Sequence, residues 1–137
     1  MKEIWLIFTR HEEIGLVSAP ALLGFLEWYK PDIIFLELPP SLFNAFYSLY
    51  NLRSNLESRA VIPYRAQHPA VNLVPVDIGL SEDFERDSDE FTRRLAAESH
   101  ELRQLLDEMT RNERELGFPY LNSEESSQRW TKFYVMA

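Results

Sequence analysis

The sequence predicts an α/β domain: a small, mostly parallel sheet with a strand–helix–strand crossover, helices on its faces, and a long amphipathic helix in the C-terminal part. Three observations predict it. Ile33-Ile34-Phe35-Leu36-Glu37-Leu38 is a short continuous apolar run bounded by Pro31 and Pro39-Pro40, the pattern of a strand buried on both faces. Ile4-Trp5-Leu6-Ile7-Phe8-Thr9 is a second such run, and a helical pattern separates the two. Strand, helix and strand then fit a right-handed parallel crossover. From Asp87 to Leu116 there is no proline or glycine, and apolar residues recur at helical spacing, which reads as a long amphipathic helix, continuous or broken once.

The elements follow in order. The first strand ends in the polar loop Arg10-His11-Glu12-Glu13. Ser18 is the expected N-cap of a helix with Pro20 in its first turn, where a missing N–H does no harm. Leu22, Leu23, Phe25, Leu26 and Tyr29 form its apolar face, and Lys30-Pro31 stops it. After the second strand, Ser41 is placed to cap a helix carrying Leu42, Phe43, Phe46, Leu49 and Tyr50. Pro63 and Pro69 read as turn markers, with Ala60-Val61-Ile62 open to either a helix end or a short strand. Val71 to Ile78 is the third strand, and Pro75 inside it requires an edge or interrupted strand, since proline cannot donate to a ladder. Residues 82–116 hold twelve acidic residues and six arginines, and Asp89/Arg93, Glu90/Arg94 and Asp107/Arg111 are correctly ordered i,i+4 pairs. Gly117-Phe118-Pro119 ends this stretch. Ser123-Glu124-Glu125 starts a last element, whose apolar end at Phe133 to Met136 must pack back or meet another copy.

Composition bounds the function. The 137 residues make one domain, 1–137, with a sheet-forming part at 1–80 and a mainly helical part at 81–137. A net charge of −8 argues against nucleic acid, which needs a basic face, and against an anionic membrane surface. With no cysteine, thiol nucleophiles, disulfides and zinc–thiolate sites are excluded. The four glycines form no phosphate-binding loop, so no nucleotide cofactor is expected. The apolar start is too short for a signal sequence, which makes a cytoplasmic location the expectation.

Three polar residues fall at the carboxyl ends of the three strands: His11, Glu37 and Asp77. That is where an open α/β sheet places its ligand crevice. An imidazole with two carboxylates can hold a divalent metal, or act as a general acid/base set with one carboxylate orienting the histidine. Each residue also has a structural reading: His11 as a loop residue, Glu37 as a carboxylate paired with an arginine, Asp77 as a turn former. His68, before a proline, is a weaker candidate, and His100 is expected to face solvent.

A strand ending in a histidine, then Lys30-Pro31-Asp32-Ile33-Ile34-Phe35-Leu36-Glu37-Leu38, and later Val74-Pro75-Val76-Asp77, resembles the TraB/PrgY and Tiki group. That group lies within the wider superfamily that includes ChaN and the erythromycin esterases. His11, Pro31-Asp32 with Glu37, and Asp77 match its motif positions, while Phe8 stands in place of its first glycine and Ile78 in place of an arginine. The resemblance implies an α/β fold and a metal-dependent hydrolase- or protease-like site acting on an unknown substrate or peptide. The sequence therefore supports two functions. One is a hydrolase-like domain using His11, Glu37 and Asp77 as catalytic or metal-binding residues. The other is a non-catalytic binding or regulatory module working through its acidic helical surface, as a homodimer through residues 87–137.

Overall fold

The structure, a computed structural model, describes residues 3–48, 53–79 and 82–136. It is helix-rich with a small parallel sheet, an α/β arrangement. The elements run α1 (Ala19–Tyr29), β1 (Ile33–Leu36), a 3-10 turn (Pro40–Leu42), α2 (Phe43–Tyr47), α3 (Leu56–Gln67), β2 (Asn72–Pro75), α4 (Glu82–Glu98), α5 (His100–Leu116), α6 (Phe118–Leu121) and α7 (Glu124–Met136).

Local chemistry sets most boundaries. The Ser18 side chain accepts from the Ala21 N–H, with Pro20 in the first turn, and α1 stops at Lys30 in the left-handed region. Asn55 and Ser58 cap α3 reciprocally, each side chain bonding the other's backbone N–H, a pairing that satisfies two donors with no helical partner. Pro63 lies inside α3 and marks no turn. Ser41 sits within the 3-10 turn and caps nothing, because that turn is entered through Pro39. The predicted helix positions Leu49 and Tyr50 lie outside the described residues, and Leu56 belongs to α3.

β1 and β2 pair in parallel, Ile33 with Asn72 through Leu36 with Pro75, and among the described residues they are the whole sheet. β2 ends at Pro75, where the ladder loses a donor. The expectation that Ile33–Leu38 is buried on both faces is corrected. Leu36 and Leu38 are buried, but Ile33 is 46% and Phe35 60% exposed. With α1 and α3 on one side only, alternate side chains face solvent.

The strand expected over Ile4–Thr9 does not form; residues 3–10 join no ladder. Their polar groups are engaged elsewhere. The Asn122 side chain accepts from the Phe8 N–H at 2.6 Å and donates to the Phe8 carbonyl at 3.1 Å. Thr9, Arg10 and His11 are held by α3 and α5. Ile4, Trp5, Leu6 and Phe8 remain exposed.

The helical stretch predicted from Asp87 to Leu116 is two helices, broken at Ser99, whose side chain accepts from the Leu102 N–H at 3.2 Å. Of the expected i,i+4 pairs, Glu90–Arg94 forms an ion pair. Leu102, Leu105 and Met109 of α5 pack with Phe133 of α7, flanked by Leu95 of α4. The apolar end of the chain thus returns as a helix, with Ser123 accepting from the Ser126 N–H at its start. Phe118 joins the two parts: it is buried with Val17, Leu22 and Leu56 and meets the Phe25 ring edge-on at 5.7 Å.

Gly15 marks the tightest junction. Its φ is +53°, and a Cβ there would collide with the Arg114 carbonyl, to which the neighbouring Leu16 N–H donates at 2.9 Å. Gly15→Ala is expected to destabilise by about 2 kcal/mol through left-handed strain and forced separation. Chemical denaturation checks this, and a variant as stable as the parent would refute it.

Candidate functional site

The predicted site residues separate into two places. Glu37 follows β1 at the apex of a three-residue turn, closed by the Leu38 N–H donating to the Leu36 carbonyl at 2.8 Å. It is exposed, which corrects the expectation of a carboxylate confined in a buried strand: the turn carries it out of the sheet. Asp77 lies just beyond the end of β2, half-buried, its N–H reaching the Leu38 carbonyl at 3.4 Å. Parallel pairing thus brings these two residues to the same end of the sheet, as the strand-end argument required.

His11 is bound elsewhere. Its Nδ1 lies 3.4 Å from Glu57 Oε1, its carbonyl accepts from the Leu56 N–H, and its ring is 71% exposed. The same Glu57 oxygen accepts from the Thr9 hydroxyl at 2.5 Å. Among the described residues, no three His, Asp or Glu side chains come together as a metal-holding group. This arrangement therefore does not assemble the donor set that the family resemblance implies.

What the structure assembles is a polar clamp on the loop after the N-terminal run. Arg10 pairs with Glu113 of α5, whose side chain is only 2% exposed. Glu13 pairs with Arg59 of α3 at 2.9 Å and accepts from the Ala19 N–H at 2.7 Å, reinforcing the start of α1. A carboxylate at a helix N-terminus is stabilising because the free N–H groups there concentrate positive charge. Glu57 is the hub. Burial pushes its carboxyl up, but hydrogen bonds from His11, from Thr9 and from its own backbone N–H, with the His11 charge, outweigh that and hold it below the ordinary range. Burial, followed by the nearby Glu57 charge, raises the Tyr47 phenol far above its ordinary value.

This has a pH consequence of definite sign. Because the Glu57 carboxyl titrates lower in the folded chain, its contribution is fully present above the ordinary value of 4.5. It is lost as pH falls from there through the folded value. Glu57→Gln is therefore expected to show a shallower loss of stability below about pH 4.5 than the parent. Melting temperatures measured from pH 6 down to about pH 3 test this; parallel curves would refute it.

The clamp was only partly visible in sequence. Glu57 lies in the stretch with ambiguous secondary structure, and its partners are 46 to 48 positions away. Asn55-x-x-Ser58, just before an apolar stretch, was the available signal that a helix begins there and places Glu57 in its first turn. His68 also proves structural in setting: its Nε2 lies 3.1 Å from Glu27 of α1 and its ring lies against Tyr64. His100 is exposed at the start of α5.

Comparisons with protein-family models, with curated proteins and with solved structures each return no match. Among the described residues, no helix is long and apolar enough to cross a membrane.

Proposed function

We propose that this chain is a non-catalytic binding module of the α/β class that works by self-association. The observation that carries this reading is the uncovered side of the sheet: Ile33 and Phe35, with Val76 and Ile78 just past β2, are all exposed. Large apolar patches on soluble proteins mark interaction sites. The acidic helices are a less suitable contact, because the main apolar stripe of α5 is already covered within the chain by α4 and α7.

The test is association. Sedimentation equilibrium is expected to show a dimer with a dissociation constant at or below about 10 μM. Phe35→Glu should weaken it by roughly thirtyfold or more, the loss of one buried aromatic side chain, with the helical circular dichroism unchanged. A chain that stays monomeric at about 100 μM would overturn the reading.

A hydrolase-like function is the second reading, and the His11–Glu57 contact favours it. A carboxylate on Nδ1 orients an imidazole, as the positioning of a general base requires. The resemblance to the TraB/PrgY and Tiki group points the same way, with Glu37 and Asp77 as the further catalytic or divalent-metal candidates. On this reading, His11→Ala abolishes hydrolysis of simple ester or peptide substrates that the parent turns over. Equal rates, or none in the parent, would exclude it.

A further inference from the structure

Two unfinished features of this chain have matching lengths. The run Ile4–Phe8 has strand-forming residues and exposed side chains but joins no ladder, while the far edge of β1 pairs with no described strand. We propose that a second copy of this chain supplies the missing strand: Ile4–Phe8 of each copy adds in parallel to the free edge of β1 in the other, Ile4 beside Ile33 and Leu6 beside Phe35. This rests on the self-association proposed above and specifies its geometry.

Exchange requires the run to leave its present contacts. Below Thr9, the run is held by the Asn122 side chain on Phe8, by Trp5 against Tyr29 at 4.6 Å between rings, and by the half-buried Ile7 against the core around Val17 and Phe118. The first two contacts are solvent-exposed and cheap to exchange; the Ile7 contact is the apolar cost of exchange, to be regained beside Leu36 of the second copy. At and beyond Arg10 the chain is anchored by the buried Glu113 and by the Leu56 N–H on the His11 carbonyl. Thr9 is therefore the natural hinge, and five residues of strand span about 17 Å. The exposed side chains of the run, with Ile33 and Phe35 of the strand it joins, present on the order of 800 Å² per chain, comparable with the roughly 800 Å² per partner of a standard stable interface. Reciprocal exchange closes on itself with two-fold symmetry, so it stops at a dimer. In this register Phe8 lies beside Glu37 of the second copy, and the pairing ends there, just before the hinge at Thr9.

Two experiments decide it, both on the whole chain. Leu6→Pro removes a strand N–H without touching a ladder bond of the isolated chain. It is expected to raise the dissociation constant at least tenfold while the far-ultraviolet circular dichroism stays that of the parent. Undiminished dimerisation in Leu6→Pro overturns strand exchange and leaves the sheet-face reading standing; a monomeric parent overturns both. The second experiment uses the absence of native cysteine. In Ile4→Cys/Ile33→Cys, neighbouring strand positions come within disulfide reach. Oxidation is expected to give a covalent dimer on a non-reducing gel. An intrachain-linked monomer would show that the strand pairs within its own chain, and no cross-link would show that it pairs with neither; each overturns the proposal. This readout does not depend on how well Leu6→Pro folds.

Discussion

Phe118→Ala is expected to lower the unfolding free energy by about 4 kcal/mol, near the top of the range for single core substitutions. Phe118 is 1% exposed and touches both parts of the molecule. Its ring lies edge-on to Phe25 of α1 and packs with Val17, Leu22 and Leu56, while its backbone opens α6 immediately after α5. Truncation therefore leaves a void between the sheet-bearing part and the helical part. Two probes give the decisive measurement: tryptophan fluorescence, which reads Trp5 and Trp28 on one side and Trp130 on the other, and far-ultraviolet circular dichroism. One shared urea transition, displaced to lower denaturant, is the expected result. Two separated transitions in the parent would show that the parts unfold independently and that Phe118 does not couple them.

Arg10→Ala is the second large effect, about 3 kcal/mol. The magnitude comes from the carboxylate left behind, since Glu113 is almost wholly buried and a lone buried charge is costly. The estimate is kept at the low end of the range because the Arg10 side chain is itself partly exposed, and solvent screens part of the attraction. A second substitution separates this explanation from simple loss of packing. Adding Glu113→Gln to Arg10→Ala removes the orphaned charge, and should recover on the order of 1 kcal/mol or more. If the double variant is no more stable than Arg10→Ala alone, the buried charge is not the cause.

How far the sequence was legible depends on range. Features decided within one or two turns of chain were readable: the Ser18 cap with Pro20, the stop at Lys30-Pro31, the strand cores at Ile33–Leu36 and Asn72–Pro75, and the start at Ser123. Each rests on the chemistry of a single N–H or φ angle, which neighbouring residues determine. Pro63 misled because the lost hydrogen bond and the ring's clash with the preceding turn are offset in α3, which is well capped and packed against α1. Ser99 was legible in principle, being an N-cap residue followed by Glu101 in the new first turn, but it was hidden inside an uninterrupted apolar period. The larger departures concern partners far away in sequence. A strand pattern states that a segment can pair, and says nothing of whether an edge is available to it. At Ile4–Thr9 the competing partners were Asn122 for Phe8 and Glu57 for Thr9, 114 and 48 positions away, with Glu113 holding the adjoining Arg10. The candidate site divided for the same reason: Glu37 and Asp77 followed their strands, while His11 followed the loop to α3.

The amide of Asn122 occupies both backbone groups of Phe8, as a neighbouring strand's peptide would, across 114 positions of chain. During synthesis that distance becomes time. At about 5–20 residues per second, Phe8 is added to the chain roughly 6–23 seconds before Asn122. The apolar run ahead of it spends that interval without its eventual clasp, longer than a hairpin or helix needs to form. If the proposed strand exchange occurs, the order of synthesis as well as the final energies bears on whether the run pairs with a second copy or docks on Asn122.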